Sequence, residues 1–280
     1  MREELIITAE SLMTLMANSS VKLVDASWYL PNQARNGQAE YLQQRLPGAV
    51  FFDIDTVADV DSGLPHTLAS PSVFSECAGR LGIGIEDTIV VYDTAGMFSA
   101  PRVAWNFRQM GAQQVRVLDG GMPAWVRAGG TIEQGTPTAP IPCKFDARPV
   151  AGLTADREAL GDHLRAKTAV VIDVRPAERF SGRAREPRPG VRSGHMPGAI
   201  NLPFPELLID GALAPNEILK KRFEVAGVTP DSLVITSCGS GVTATIAILA
   251  LECIGHSRHA LYDGSWSEWG AHPDTPVVTD

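Results

Sequence analysis

The sequence predicts an α/β protein with two tandem domains of one kind, each a mainly parallel sheet flanked by helices. Three observations support this prediction. The length of 280 residues suits about two domains. Short apolar runs alternate with helical patterns. Segments of the first half recur in the same order in the second half, which is the pattern of a duplicated unit.

The internal repeat consists of four matched pairs of segments. They are VKLVDASW (21–28) with AVVIDVRP (169–176), LPGAV (46–50) with MPGAI (196–200), IVVYD (89–93) with VITSC (234–238), and LDGGMPAW (118–125) with YDGSWSEW (262–269). The third pair aligns Asp93 with Cys238. Two copies are too few for a solenoid, so the repeat indicates two homologous domains.

Short β-branched runs in each copy predict the strands. They are VKLVDA, TIVVYD and VRVLDG in the first copy and AVVIDV, SLVITS and HALYDG in the second. Each run is apolar on both faces, which is typical of a parallel strand buried between helices. The segments 99–111 and 241–255 are predicted helices. Ligands of such sheets bind beyond the carboxyl ends of the strands.

The domain boundaries follow from a proline-rich stretch between the copies. We predict a first domain at 1–133, a linker at 134–149 and a second domain at 150–280. Pro137, Pro140, Pro142 and Pro149 each restrict the backbone of the preceding residue to extended conformations. The stretch is therefore expected to be a semi-rigid linker without helix or interior strand.

Composition and charge exclude several classes of protein. The net charge of −8 disfavours binding to nucleic acid or to anionic lipid. No apolar run approaches the ~18 residues that span a membrane, and the N-terminus lacks the basic region of a signal peptide. The four cysteines include no C-x-x-C pair and are too few for a disulfide scaffold. These features predict a cytoplasmic protein with neither a nucleic-acid nor a membrane partner.

Cys238 is the candidate nucleophile. It follows the strand LVIT and begins a short loop that also contains Gly239, Gly241, Val242 and Thr243. Glycines let a loop turn its N–H groups towards one point, and the following helix adds further donors, so the thiol is expected to be partly ionised. The alternative is a buried, inert cysteine, which is the common fate of a cytosolic cysteine. The Gly-x-Gly loop between strand and helix favours the reactive thiol.

The remaining cysteines lack such a setting. Cys253 lies near a helix C-terminus, Cys77 in a helical stretch and Cys143 in the linker. We interpret Cys253 as a core residue, and a redox role for any of the three stays open.

No metal or organic cofactor is expected. The sequence contains no Walker P-loop, no strand-borne G-x-G-x-x-G and no H-E-x-x-H. The acids between 53 and 61 lack the spacing of an EF-hand.

The residues around Cys238 resemble the tandem-domain rhodanese superfamily of sulfurtransferases. The resemblance rests on Cys238-Gly-Ser-Gly-Val-Thr-Ala, on SGHMPGAINLP (193–203) and on a duplicated domain with Asp93 in place of the cysteine. Within the superfamily, the neutral loop CGSGVT is similar to that of 3-mercaptopyruvate sulfurtransferases, whereas thiosulfate-preferring members carry a basic loop. The resemblance implies that the second domain is catalytic and that the first has lost its cysteine.

The resemblance also implies a substrate site in the arginine-rich loop 176–198. The two substrate arginines of the family map onto Arg179 and Arg188. A guanidinium binds a carboxylate through two parallel hydrogen bonds, which suits an α-keto acid. The alternative is a solvated basic loop, the usual role of a charge run, and Arg183, Arg185 and Arg192 are assigned to it.

A second implied set is Asp55, His66 and Ser240. These residues match family positions proposed to form a Ser–His–Asp arrangement, in which a histidine oriented by a carboxylate moves protons for a hydroxyl. The alternative for His66 is a solvated or capping histidine in a turn-rich loop. His195, in SGHMPG, is expected to fix its loop.

The expected function is transfer of the sulfur of 3-mercaptopyruvate through a Cys238 persulfide to a thiol or cyanide acceptor, with release of pyruvate. The expected acceptor is a thioredoxin-like protein or a small thiol. The alternatives are a thiosulfate:cyanide sulfurtransferase and a non-catalytic persulfide carrier. A cysteine phosphatase is strongly disfavoured because its C-x5-R pattern needs arginine where Ala244 stands. The sequence leaves the physiological acceptor and the oligomeric state open.

Overall fold

A computed structural model describes every residue from Met1 to Asp280, and the chain falls into two compact units. Unit 1 comprises Met1–Ala58, Leu68–Val150 and Asp210–Leu213. Unit 2 comprises Asp59–Thr67, Ala151–Ile209 and Ala214–Asp280. The short segment Asp59–Thr67 therefore belongs to unit 2 although it lies in the first half of the sequence.

Unit 1 contains a five-stranded sheet with helices between its strands. The elements in chain order are α1 (Arg2–Leu5), β1 (Ile6–Ile7), α2 (Ala9–Asn18), β2 (Lys22–Asp25), α3 (Gly37–Gln43), β3 (Val50–Phe51), α4 (Pro71–Arg80), β4 (Ile89–Tyr92), α5 (Ala100–Gln109), β5 (Val115–Leu118) and α6 (Gly121–Arg127). The strand order is β1-β5-β4-β2-β3, and all pairs are parallel.

The second half of the chain repeats this architecture. Its elements are β6 (Thr154–Ala155), α7 (Arg157–Ala166), β7 (Val170–Asp173), α8 (Ala177–Phe180), β8 (Ile200–Asn201), β9 (Leu208–Ile209), β10 (Ala212–Leu213), α9 (Asn216–Val225), β11 (Val234–Ser237), α10 (Ala244–Cys253), β12 (His259–Tyr262) and α11 (Ser265–Trp269). The second five-stranded sheet has the order β6-β12-β11-β7-β8, again parallel throughout.

The two sheet orders are the same once the strands are matched, so the predicted duplication of a parallel α/β unit is confirmed. The central strands β4 and β11 occupy the same place, and each is flanked on one side by β2 or β7 in register. Both are buried along their whole length, as their continuous apolar character predicts.

The predicted helices are present as well. The segments 99–111 and 241–255 contain α5 and α10, each of ten residues. Nine of the ten residues of α10 are buried, which explains why its sequence shows hardly any polar face. None of the helices has the length and apolar character needed to cross a membrane.

A tryptophan at the matched position of each unit, Trp125 or Trp269, packs into the hydrophobic core beside the sheet. Trp125 of α6 packs with one core, and its indole N–H donates to the carbonyl oxygen of Thr131 at 2.8 Å. Trp269 of α11 packs with the other core and donates to Pro276 at 2.9 Å. In both units the aromatic ring therefore fixes the chain segment that leaves the last helix.

The proline-rich segment is anchored by an aromatic side chain. It contains no helix and no strand of a sheet, and Phe145 within it is buried against Phe74 and Phe107 of unit 1. The backbone N–H of Cys143 donates to the carbonyl oxygen of Gly79 at 2.9 Å. The segment is thus packed along unit 1 up to Val150.

Two buried aspartates at the ends of matched strands differ in their partners. Asp173, at the end of β7, forms an ion pair with Arg175 at 2.7 Å. Asp25, at the end of β2, has Ser27 in the corresponding place and no arginine beside it, and its Oδ1 accepts the Ser27 N–H at 2.9 Å. Desolvation by burial raises the pKa of Asp25 to about 6.

The raised pKa means that ionised Asp25 destabilises unit 1. The folded state favours the protonated form of Asp25. The stability that this protonation contributes is fully present below pH ~4 and is lost as the pH rises through about 6. We expect Asp25→Asn to raise the free energy of unfolding on the order of 2 kcal/mol at pH 7.5 and to change it little at pH 4. Urea unfolding at the two pH values measures this difference.

The matched control for this prediction is Asp173→Asn. It leaves the buried charge of Arg175 without its nearest partner and is expected to destabilise the protein by about 3 kcal/mol or more at pH 7.5. Opposite signs for the two substitutions are required. A loss of stability in Asp25→Asn at pH 7.5 would contradict the interpretation.

Candidate active site

Cys238 stands at the carboxyl end of the central strand β11, and the helix α10 begins at Ala244. Its side chain is buried, with 2% of the residue exposed. The loop between strand and helix turns at Gly241, whose φ of 76° is in the left-handed region that favours glycine. The local sequence therefore places a thiol at the strand end where ligands of parallel sheets bind.

The first turn of α11 holds the backbone of this loop. The hydroxyl of Ser265 accepts the N–H of Cys238 at 3.1 Å and donates to the carbonyl oxygen of Tyr262 at 2.9 Å. The N–H of Trp266 donates to the carbonyl oxygen of Cys238 at 3.0 Å. The carbonyl oxygen of Gly239 accepts from both the N–H and the hydroxyl of Ser267. The loop carbonyls are thereby turned towards α11.

The N–H groups of the same loop, unlike its carbonyls, are mostly without a hydrogen-bond partner. The N–H groups of Gly239, Ser240, Val242 and Thr243 donate to no acceptor within the protein. Ser240 and Val242 are buried, and buried backbone donors are nearly always paired, so two such unpaired donors in one loop are unusual. They form a set of donors suited to an anionic group on the Cys238 sulfur.

The corresponding loop of unit 1 contains such an anion of its own. The carboxylate of Asp93, which follows β4, accepts the N–H groups of Ala95, Phe98, Ser99 and Ala100 at 2.8–2.9 Å. This side chain is buried, and burial raises its pKa as the largest effect, against which these four hydrogen bonds act. The loop of this fold thus directs several amides onto one anionic side chain.

His66 and Ser240 lie together in unit 2. The imidazole Nδ1 is 2.9 Å from the hydroxyl oxygen of Ser240, and both residues are buried. His66 has a φ of 64°, which is uncommon for a residue with a Cβ and costs on the order of 1 kcal/mol or more. The position of the imidazole is therefore held by the surrounding structure and is not that of a solvated loop histidine.

Asp55 lies in unit 1, where both carboxylate oxygens accept the indole N–H of Trp28, at 3.1 and 3.0 Å. The ring of Trp28 stacks on Phe98 at 6.2 Å between centroids and an interplanar angle of 5°. The Asp55 side chain is thus oriented by an aromatic donor.

Arg179 reaches over the Cys238 loop from α8. A Cβ placed on Gly239 would lie 3.2 Å from Nη2 of Arg179, so the absence of a side chain on Gly239 lets the guanidinium approach. The guanidinium donates to the carboxylate of Glu186 through Nε at 3.2 Å and through Nη2. Arg179 keeps 18% of its side chain exposed.

Glu186 belongs to a buried chain of alternating charges. Its carboxylate also accepts from Nη1 of Arg175 at 2.8 Å, and Arg175 is paired in turn with Asp173. The guanidinium of Arg175 lies over the ring of Trp266 at 4.1 Å. Asp173, Arg175 and Glu186 have side chains that are at most 3% exposed, so the chain has little access to water.

The remaining arginines of the loop have different surroundings. Arg188 is half-buried, whereas Arg183 and Arg185 are exposed, as the solvated alternative predicts. Arg192 departs from that expectation because it donates to the carbonyl oxygens of Gly270 and Thr275 at 3.0 Å. It fixes the chain after α11 and does not sit in solvent.

The other residues noted in the sequence have structural surroundings. His195 fixes its loop as expected: its Nδ1 lies 3.0 Å from the carbonyl oxygen of Phe180, and its ring stacks on that of Phe180 at 3.8 Å. Cys253 is buried at the end of α10, and burial raises the pKa of the Cys77 thiol. Cys143 is exposed. No group of three or more His, Cys, Asp or Glu side chains is arranged to hold a metal ion.

Four residues of the site were not identified from the sequence, namely Arg175, Glu186, Ser265 and Ser267. Ser265 and Ser267 lie almost thirty residues beyond Cys238, and nothing local to them signals a hydrogen bond to its loop. Glu186 is one acid within an arginine-rich segment, where pairing with surface arginines is the ordinary expectation.

The comparisons with known proteins agree with this architecture. The family model for the rhodanese-like domain matches residues 8–128 and 156–272. A 3-mercaptopyruvate sulfurtransferase of Escherichia coli (strain K12) is 42% identical over 260 residues, covering 92% of each chain. A mitochondrial thiosulfate/3-mercaptopyruvate sulfurtransferase of Arabidopsis thaliana is 37% identical over 297 residues, covering 98% of this chain and 78% of the relative. The crystal structure of SseA from Escherichia coli superposes with a TM-score of 0.86 at 36% identity, covering 93% of this chain and 98% of that one.

The chain belongs to the rhodanese family and consists of two rhodanese-like domains. Within that family it is a sulfurtransferase, because the relatives that it matches over nearly their whole length are named as sulfurtransferases.

The hydrogen bonds of Ser265 provide a test of how the Cys238 loop is held. Ser265→Ala leaves the Cys238 N–H and the Tyr262 carbonyl without this partner, and it keeps a Cβ at a φ of 49°. We expect a loss of about 1–3 kcal/mol in the free energy of unfolding. Ser265→Gly loses the same hydrogen bonds but relieves the backbone, so it should be less destabilising than the alanine variant. Equal stability of Ser265→Ala and the unaltered protein in urea would show that the hydroxyl does not hold the loop.

Proposed function

We propose that the protein transfers the sulfur of 3-mercaptopyruvate through a persulfide on Cys238 to a thiol acceptor and releases pyruvate. The observation that carries this proposal is the set of unpaired backbone donors around the buried Cys238 thiol. The names of relatives at 38–42% identity support the choice of donor.

In the first step the thiolate of Cys238 attacks the sulfur atom of the donor. The new S–S bond forms as the bond between the donor's sulfur and its methylene carbon breaks, and the electron pair of that bond passes into the enolate of pyruvate. The sulfur keeps its proton and becomes the outer atom of the persulfide, and the enolate takes a proton to give pyruvate. A covalent intermediate of this kind divides the transfer into two simpler steps.

The loop supplies stabilisation for the negative charge. The amides of Gly239, Ser240, Val242 and Thr243 act on the sulfur anion as an oxyanion hole acts on oxygen, and Gly241 permits the turn that directs them. The matched loop of unit 1 supports this proposal, because there four amides converge on the carboxylate of Asp93. Asp93 thereby fills the place of the reactive group in a domain without the catalytic cysteine.

Arg179 and Arg188 are proposed to bind the donor's carboxylate. The approach of the Arg179 guanidinium to Gly239 supports its part in this role. Bidentate binding of a carboxylate by arginine fixes both the position and the orientation of the donor. A fixed orientation aligns the donor's sulfur with the thiolate, which is the main contribution that positioning makes to a displacement.

Ser240 and His66 are proposed to handle the proton that the enolate requires. Their hydrogen bond of 2.9 Å gives the hydroxyl a neighbouring base that can exchange protons with it. Asp55 is proposed as the carboxylate of this set on the ground of the family resemblance.

In the second step an acceptor attacks the outer sulfur of the persulfide and regenerates the Cys238 thiolate. A thioredoxin-like protein or a small thiol is the proposed acceptor, with cyanide as its replacement in an assay. The kinetics are then ping-pong. The cytoplasmic location stays a prediction, since one relative is named as mitochondrial.

A second candidate donor is thiosulfate. Two relatives from Arabidopsis thaliana are named as thiosulfate/3-mercaptopyruvate sulfurtransferases. The loop side chains at Gly239 and Ser240 are uncharged, however, and a dianion gains less from such a loop than from a basic one. Thiosulfate is therefore proposed as the slower donor.

Initial rates with the two donors test the proposal, with cyanide as acceptor. We expect kcat/KM for 3-mercaptopyruvate to exceed that for thiosulfate by about tenfold or more, equivalent to ~1.4 kcal/mol. The variant Cys238→Ser should form neither pyruvate nor thiocyanate. A preference for thiosulfate would reject the proposed donor, and persulfide formation without turnover would favour a sulfur carrier.

The proton-handling role is tested by His66→Asn and Ser240→Ala. Asparagine tolerates the left-handed backbone of residue 66, so His66→Asn removes the imidazole with little added strain. We expect each variant to lower kcat for 3-mercaptopyruvate about 10- to 100-fold, because protonation of the enolate loses its donor. Transfer from a preformed Cys238 persulfide to cyanide needs no such proton and should keep its rate. An equal loss in both half-reactions would contradict this assignment.

A further inference from the structure

We propose that Glu186 is a positioning residue that holds one edge of the Arg179 guanidinium, so that the opposite edge faces the Cys238 loop and binds the donor's carboxylate. The inference rests on the proposed function for the identity of the donor. The placement of Arg179 by Glu186 stands on contacts within unit 2 alone.

The two edges of the guanidinium are used differently. Arginine presents its five N–H groups in a rigid planar fork, with one edge formed by Nε and Nη2 and the other by Nη1 and Nη2. Arg179 gives the first edge to the two carboxylate oxygens of Glu186. Its Nη1 makes no hydrogen bond within the protein. The second edge lies nearest the loop, with Nη2 at 3.2 Å and Nη1 at 4.0 Å from a Cβ placed on Gly239.

Glu186 can act as an anchor because it is itself fixed. Arg175 donates to it at 2.8 Å and is held in turn by Asp173, by the carbonyl oxygen of Gly194 and by the ring of Trp266. The side chain of Glu186 is 3% exposed, so water competes little with these bonds. A long arginine side chain is thereby ordered before the donor arrives, and binding need not order it.

The charges of this chain bear on what Arg179 can bind. Asp173, Arg175, Glu186 and Arg179 carry two negative and two positive charges, so the group as a whole is neutral. Arg179 therefore contributes a directed pair of N–H donors more than an excess positive field. Such a pair matches the planar geometry of a carboxylate.

The first test compares Glu186→Gln with Glu178→Gln. Both remove one negative charge from the same segment, but Glu178 is exposed on α8 and has no bond to Arg179. In Glu186→Gln one of the two carboxylate oxygens is replaced by an NH2 group, which cannot accept from a guanidinium, so the hold on Arg179 is weakened. We expect KM for 3-mercaptopyruvate to rise about tenfold with kcat changed less than about threefold. Glu178→Gln should leave both constants unchanged.

A double-mutant cycle tests whether Glu186 acts through Arg179. Arg179→Lys keeps the charge but loses the fork, and it should raise KM by itself. If Glu186 only positions Arg179, adding Glu186→Gln to Arg179→Lys should raise KM little further. Additive effects of the two substitutions would overturn the proposal, because they would show that Glu186 acts by another route.

Alkylation of Cys238 separates this proposal from that of the donor. Iodoacetate carries a carboxylate and iodoacetamide does not, so the ratio of their rates reports the carboxylate-binding edge without any sulfur donor. Glu186→Gln and Arg179→Lys should each lower the ratio several-fold, while Glu178→Gln should keep it. An unchanged ratio in Glu186→Gln would overturn the positioning role. A lowered ratio together with no turnover of 3-mercaptopyruvate by the unaltered protein would retain the positioning role and reject the donor.

The variant Glu186→Asp controls for a loss of folding in Glu186→Gln. It keeps the buried negative charge between the two arginines but is shorter by one methylene, so it cannot reach both guanidinium groups as glutamate does. The ratio of alkylation rates should fall in this variant too, with a circular dichroism spectrum like that of the unaltered protein. A ratio equal to that of the unaltered protein in a folded Glu186→Asp would count against the proposal.

Discussion

The arrangement of the site depends on how α11 orients the backbone of the Cys238 loop. Hydrogen bonds from the Trp266 N–H and from Ser267 turn the carbonyls of Cys238 and Gly239 to one side. Because the peptide unit is planar, turning the carbonyls to one side turns the following amides to the other. The free orientation of the Gly239 and Ser240 N–H groups is thus a consequence of contacts on the opposite face of the loop.

Comparison of the two domains shows what the catalytic one requires. Unit 1 has the same strand, loop and helix. In its loop, however, the carboxylate of Asp93 accepts the loop N–H groups, and Asp25 lacks an arginine partner like that of Asp173. Unit 2 carries Cys238 at the position where unit 1 carries the carboxylate of Asp93. It also has Arg175 where unit 1 has Ser27, and Arg175 connects the strand end to Glu186 and Arg179.

The sequence predicted the architecture well because the repeat and the apolar strands are local patterns. The six longer strands, the helices at 99–111 and 241–255 and the place of Cys238 all follow from periodicity and from the order of the segments. The hydrogen bond between His66 and Ser240 joins residues 174 positions apart, and only the family resemblance suggested it. The roles of Ser265 and Arg175 were not predictable, since each depends on a contact made by the tertiary fold.

The central claim is that Cys238 carries the sulfur between donor and acceptor. The most direct measurement is the mass of the peptide containing Cys238 after one equivalent of 3-mercaptopyruvate is mixed with the protein in the absence of acceptor. The account predicts an increase by the mass of one sulfur atom on Cys238, with an equal amount of pyruvate released and the added mass removed by cyanide. Pyruvate formed without added sulfur on Cys238, or sulfur found on Cys77, Cys143 or Cys253 instead, would contradict it.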